Sequence, residues 1–247
     1  MERRAFLVGA PALALSCSGP VFAQAGSSGA FKGRVVAEWL DGRDDLMKLS
    51  EPFGYLDARG VEWSVPAGAT VDGASIPGAL WALVGHPFKN PYRKASVVHD
   101  WYCDVRVRAW QDVHRMFFDA MLAGGAPRLQ AQMMYLGVYA GGPRWNSQAI
   151  ANNRLLLQRR LAEAGARQAR YAAERKSFET RWAAGIFGAP PIPPPPPPMA
   201  SADVFSDPDF EAETVLPPIR DRGSLEAAVK KAGHRAMSLE ELEALAI

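Results

Sequence analysis

The run Pro193 to Pro198, entered through Pro190-Pro191-Ile192, sets the outer limit of any compact domain in this chain. Each ring fixes φ and removes a backbone donor, so neither a helix nor a strand ladder passes through it, and an extended polyproline II spacer is expected. Acidic, proline-broken sequence from Ser201 to Asp221 prolongs it, giving a disordered linker over 185–223. Beyond the linker, 224–247 offers two short amphipathic helices. Ser224 is placed to cap Leu225 to Ala232, and Ser238 with Glu241 forms a capping box ahead of Leu239, Leu242 and Leu245. A tail tethered in this way suits a docking peptide, and equally a terminal helical decoration of the domain.

On the near side of the spacer, 146–184 reads as one long helix whose single internal glycine is Gly165. Ile150, Leu157, Ala164, Tyr171 and Phe178 recur at heptad spacing, while arginines from Arg154 to Arg181 occupy other faces. The plain reading packs this helix along the domain with a solvated basic face. A protruding arm for oligomerisation or an anionic surface is the alternative.

The compact part is then 31–142. Val35 to Leu40, Leu46 to Leu49, Phe53 to Leu56 and Val61 to Val65 are short β-branched or aromatic segments with Asp, Gly and Pro between them, as in a small antiparallel sheet. Asp57-Ala58-Arg59-Gly60 is a turn whose glycine suits positive φ. After the loop Val71 to Pro77, a short helix is expected over Gly78 to Val84, then longer ones over Arg93 to Val105, Trp110 to Ala123 and Leu129 to Tyr139. The class is α+β: a sheet, then a helical bundle, then the Arg-rich helix and the proline-rich tail.

Arg3 and Arg4, the apolar run Ala5 to Leu15 and Ala23-Gln24-Ala25 before Gly26 read as a cleavable signal peptide over 1–25. The mature protein is therefore expected in the periplasm or secreted, by the Sec or the twin-arginine route. Membrane association would need a lipid on Cys17, but Ala14 stands where a lipobox has leucine. Cleavage leaves Cys103 as a free thiol, by default a small buried hydrophobe, and no internal disulfide. A net charge of +2 gives no global basic field, and the arginines lack interleaved aromatics, so nucleic acid is not an expected partner.

The densest chemistry is Val98-His99-Asp100-Trp101-Tyr102-Cys103, followed by Trp110-Gln111-Asp112-Val113-His114. On a helix His99 and Cys103 share a face at i and i+4, with Asp100 one position round. On the next helix Trp110, Val113, Phe117 and Met121 make an apolar stripe that includes His114, whereas Asp112, Arg115 and Asp119 group on the solvent side. Two inward imidazoles beside a carboxylate can bind a divalent metal, zinc or calcium, or act in general-base catalysis. The loop adds Asp72 as a hard oxygen donor and small residues, including Ser75, that permit close approach of a ligand. Candidate catalytic residues are thus His99, Asp100 and His114. Candidate metal ligands are Asp72, His99, Asp100 and His114, and candidate substrate contacts are Ser75 and Tyr102.

Tyr55 to Asp57, Gly60, Val65-Pro66, Asp72-Gly73-Ala74-Ser75-Ile76-Pro77, His99-Asp100 and Phe117 to Met121 together resemble the phage and bacterial family known as domain of unknown function 1353, over roughly Leu46 to Gly142. Val71 departs from the threonine usual there. A second likeness is to the His-Asp helix of prokaryotic phospholipase A-two. That resemblance implies His99 as the base that activates water, Asp100 as a calcium ligand, and a small-residue loop supplying further oxygens. Here the inward residue on the facing helix is His114 rather than an acid, and the flanking cysteines are missing.

The expectation is an exported hydrolase-like protein, metal-dependent, acting on an acyl ester or another envelope substrate. The alternative is a noncatalytic envelope or phage-derived interaction module that meets an envelope component through the basic helix or the C-terminal tail.

Overall fold

The computed structural model describes residues 29–40, 43–72, 91–183, 215–216 and 221–247. The expected signal peptide, the loop residues Gly73 to Pro77 with Ser75, the short helix Gly78 to Val84 and the proline spacer lie outside the described residues.

The fold is α+β, with strands first and helices after them. Instead of one sheet, the strands form two antiparallel three-stranded sheets. One has the order β1 (Ala30–Lys32), β4 (Phe53–Leu56), β5 (Glu62–Val65), and the other β2 (Ala37–Leu40), β3 (Arg43–Leu49), β6 (Thr70–Val71). The split arises because two strands too short to stand out in sequence take the free edges: β1 lies on β4 with Phe31 opposite Tyr55, and β6 lies on β3 with Val71 opposite Met47. Gly68, at φ 85°, lets the chain turn after β5, with Ala69 N–H donating to the Pro66 carbonyl, and the reversed chain then meets β3, where Leu49 N–H donates to the Ala69 carbonyl.

The predicted turn between β4 and β5 closes around Asp57, which is 4% exposed. Its Oδ1 accepts from the backbone N–H groups of Arg59 and Val61 at 2.9 Å each, and its Oδ2 accepts from the Arg59 guanidinium and from Trp63 Nε1. Gly60 supplies φ 79°. Asp57→Ala strips partners from several donors at once and is expected to cost roughly 2–3 kcal/mol in urea unfolding, against under about 0.5 kcal/mol at an exposed turn position.

Helix α1 (Arg93–Val105) lies against the sheets with ten of its thirteen residues buried, so its polar side chains must find partners inside the protein. It ends at Arg106, held left-handed at φ 51°. Helices α2 (Trp110–Ala123) and α3 (Arg128–Gly141) complete the bundle over a core that includes Trp63, Tyr55, Phe117, Met121 and Tyr135. Strand β7 (Arg144–Trp145) then pairs with β8 (Val215–Leu216), and Trp145 Nε1 donates to the Arg108 carbonyl at 2.6 Å.

Helix α4 (Ser147–Ala183) departs from the plain reading of a helix packed along its length. Its buried residues are Ala149 and Asn153, and Ile150, Leu156 and Leu157 pack against the core; from Leu161 onward no residue of it is buried. A heptad stripe of one apolar residue per seven is too narrow to hold 37 residues against a domain. No helix among the described residues is long and apolar enough to cross a membrane.

The C-terminal pieces are structural. Helix α5 (Arg222–Ala232), capped by Asp221 rather than Ser224, and helix α6 (Leu239–Ala246), which does begin with the Ser238–Glu241 capping box, pack on α3. Buried Gln132 fastens the hairpin between them: its amide donates to the carbonyls of Ala232 and Arg235, and its oxygen accepts from Met237 N–H. Arg115 reaches Glu243 with two nitrogens at 2.7 and 2.8 Å, and the Tyr135 hydroxyl donates to the same carboxylate.

Candidate metal centre

Helices α1 and α2 pack side by side, and the apolar stripe of α2 decides what faces α1. His114 is on that stripe and wholly buried, as predicted from its spacing to Val113 and Phe117, while Asp112, Arg115 and Asp119 are half-buried on the outer side. From α1, His99 is 1% exposed and points back. His99 Nε2 and His114 Nδ1 are 2.8 Å apart. Phe117 stacks on His99 with ring centroids 4.4 Å apart, and Trp110 meets His114 edge-on, so both imidazoles sit in an aromatic surround.

The outer nitrogen of His114 also has a partner, and that of His99 faces a carboxylate at longer range. His114 Nε2 donates to the Pro143 carbonyl at 3.2 Å, and His99 Nδ1 stands 3.9 Å from Asp100 Oδ1. Burial pushes the His99 imidazole down to about 3, and it pushes His114 well below its ordinary range, where the neighbouring His99 lowers it further against the pull of the Pro143 carbonyl. Both rings are therefore neutral at pH 7, the form that ligates metals.

Cys103 is the residue that sequence reasoning set aside. It is buried, as a small hydrophobe would be, yet its sulfur lies 3.6 Å from His99 Nε2. Donor atoms of His99, Cys103 and His114 all lie within 4.8 Å of one another, the group of three so placed among the described residues. The signal was present in the i to i+4 spacing on α1. Two imidazoles and a thiolate suit zinc or another transition metal, whereas calcium needs oxygens. The ring nitrogens at 2.8 Å are at hydrogen-bond separation; sharing a tetrahedral zinc would part them to about 3.3 Å, a shift of about half an ångström.

The expected oxygen donors stand apart from this trio. Asp100 is buried beside His99, and Asp72, at the end of β6, is half-buried. Their carboxylates act on a third, Asp104, whose carboxyl is raised first by desolvation and then by the charges of Asp100 and Asp72, although the residue as a whole presents surface to solvent. Tyr102, one turn from His99, faces away from the imidazoles and bonds the backbone of Ser64. Ser75 lies outside the described residues.

Comparison with known proteins places this site inside the matched segment. Two relatives from Sinorhizobium fredii are similar: the uncharacterized protein y4iH is 47% identical over 97 residues, 39% of this chain and 41% of that one. The uncharacterized protein y4jT is 39% identical over 128 residues, 51% of this chain and 38% of that one. The chain thus spans about two fifths of the length of these curated relatives. No solved structure matches it significantly. None of these matches supports the likeness to phospholipase A-two. Residues 47–138, from β3 through most of α3 and including both histidine helices, match the model of the family described as "Protein of unknown function (DUF1353)".

Proposed function

We propose that the segment of this chain matching DUF1353 is a metal-dependent hydrolase whose divalent ion is held by His99 Nε2, His114 Nδ1 and Cys103 Sγ. The observation that carries the reading is that donor atoms of two buried, neutral imidazoles and a buried thiol lie within 4.8 Å of one another, with the outer nitrogen of His114 held by the Pro143 carbonyl. Ligating histidines are oriented by such outer contacts, which fix the tautomer and raise ligand basicity. The Pro143 carbonyl is a positioning group for His114, and Asp100, buried beside His99, is not itself a ligand in this reading. Three protein ligands leave a zinc-type ion one position for water, and the ion supplies a nucleophile at neutral pH. An acyl ester is the substrate class we favour, in an exported protein whose mature form begins at Gly26.

Cobalt titration of the purified protein tests this. Wild type is expected to bind one equivalent and to develop a thiolate-to-cobalt absorption band, which Cys103→Ser removes. His114→Ala is expected to weaken binding at least ~100-fold while hydrolysis of p-nitrophenyl butyrate falls in parallel. Absence of both the band and stoichiometric metal in folded wild-type protein overturns the metal reading. A second reading is favoured by the short ring-to-ring contact: with His114 Nε2–H on Pro143, His99 Nε2–H donates to His114, and the pair is a buried hydrogen bond that locks α1 to α2. Folded protein that takes up no cobalt and loses melting temperature in His114→Ala would select it.

A further inference from the structure

Two clefts run beneath the first turns of α4, away from the histidines, and they meet at Tyr102, Val107 and Leu157, which line both. The first, about 420 Å³, is walled by Phe53, Val65, Pro66, Trp101 and Leu161, with the Lys32–Glu62 ion pair also lining it. The second, about 860 Å³, is lined by Arg59, Arg108 and Arg154 against one carboxylate, Asp112. Both are within or near the size range of small-molecule sites.

The charge in the second cleft is fixed and only partly neutralised. Arg59 is paired with Asp57. Arg108, in contrast, lies over the Trp63 ring at 4.1 Å and donates to the Glu62 main-chain carbonyl, and Arg154 donates to the Val107 carbonyl. Carbonyl partners orient a guanidinium without cancelling its charge, which favours an anion there. In the apolar cleft the outer edge of β5 is already used: Ser64 N–H donates to the Tyr102 hydroxyl at 3.2 Å, and that hydroxyl donates to the Ser64 carbonyl. A peptide strand cannot add at that point, whereas a hydrocarbon chain needs no partner.

We infer that this groove binds a single-chain lipid with an anionic head group, its chain between Leu157, Leu161 and the β4–β5 surface and its head between Arg108 and Arg154. The site is separate from the histidines, so His99→Ala leaves binding unchanged.

Calorimetric titration below the micellar concentration tests the inference with dodecyl phosphate, inorganic phosphate, dodecanol and dodecyltrimethylammonium. Dodecyl phosphate is expected to bind with one-to-one stoichiometry and at least about tenfold more tightly than the other three, the difference one charge-assisted contact makes. Arg154 and Leu161 are both exposed, so Arg154→Glu and Leu161→Asp should keep the wild-type melting temperature. Each is expected to weaken dodecyl phosphate about tenfold. Equal binding of inorganic phosphate would reduce the site to an anion pocket, and equal binding of the cationic or neutral amphiphile would reduce it to apolar adsorption. Either result, no binding of dodecyl phosphate, or indifference to Arg154→Glu overturns the inference.

Discussion

A chain ended at Ala183 is expected not to fold. The truncation removes α5 and α6, and with them the buried side chains of Leu225, Val229, Met237 and Leu242. At ~1.5–3 kcal/mol for each large apolar side chain, the loss sums to roughly 6–12 kcal/mol, which matches the whole stability of an ordinary domain. The damage extends to what stays behind. Gln132, wholly buried, loses the acceptors of its amide group and the donor to its oxygen, and the Tyr135 hydroxyl and Arg115 lose Glu243. The measurement is a thermal melt followed by circular dichroism: the truncated chain should show no cooperative transition, and adding a peptide of residues 221–247 should restore one. A melt within a few degrees of full length would mean that these helices contribute little. Capture of a partner by the full chain but not by this truncation would therefore report unfolding rather than docking.

Acid is expected to destabilise the metal-free protein steeply. Lowering the pH from about 7.5 to about 5.5 should remove roughly 3 kcal/mol of unfolding free energy. The sign follows from the two imidazoles. In the fold burial holds His99 down to about 3 and His114 well below its ordinary range, so neither takes a proton in this window. In the unfolded chain both titrate near ~6.5, so the unfolded state binds two more protons at the lower pH. Stability is therefore full above the unfolded value and falls as the pH drops below it, by ~1.4 kcal/mol per pH unit for each ring. Urea unfolding at the two pH values checks the slope, and His114→Gln should about halve it. A wild-type slope no steeper than that of the variant would show that at least one ring is reached by water. A bound divalent ion would sharpen the same acid transition, since protonated imidazoles cannot ligate.

Much of the candidate centre was legible because helical periodicity is a local property. The apolar stripe Trp110, Val113, Phe117, Met121 carries His114 inward wherever α2 packs, and the dense run of apolar residues around His99 makes α1 a buried helix. The third donor was harder to see. A lone cysteine on a buried helix reads as filler until a facing ring is known to lie 3.6 Å from its sulfur. The arginine cleft was invisible for a similar reason: Arg59, Arg108 and Arg154 come from a turn, a loop and the start of α4, and nothing in their spacing joins them.

The sequence by itself determined the three central helices, the Asp57–Gly60 turn, the Ser238–Glu241 capping box and the inward direction of both imidazoles. Each depends on residues within a few positions, where backbone geometry leaves little choice. Only the tertiary structure decided that the strands divide into two sheets, that most of α4 leaves the domain surface, and that the C-terminal hairpin completes the core. Strand pairing, and the partner of an amphipathic face, are set by which distant surfaces remain uncovered, and pattern along the chain does not encode that competition.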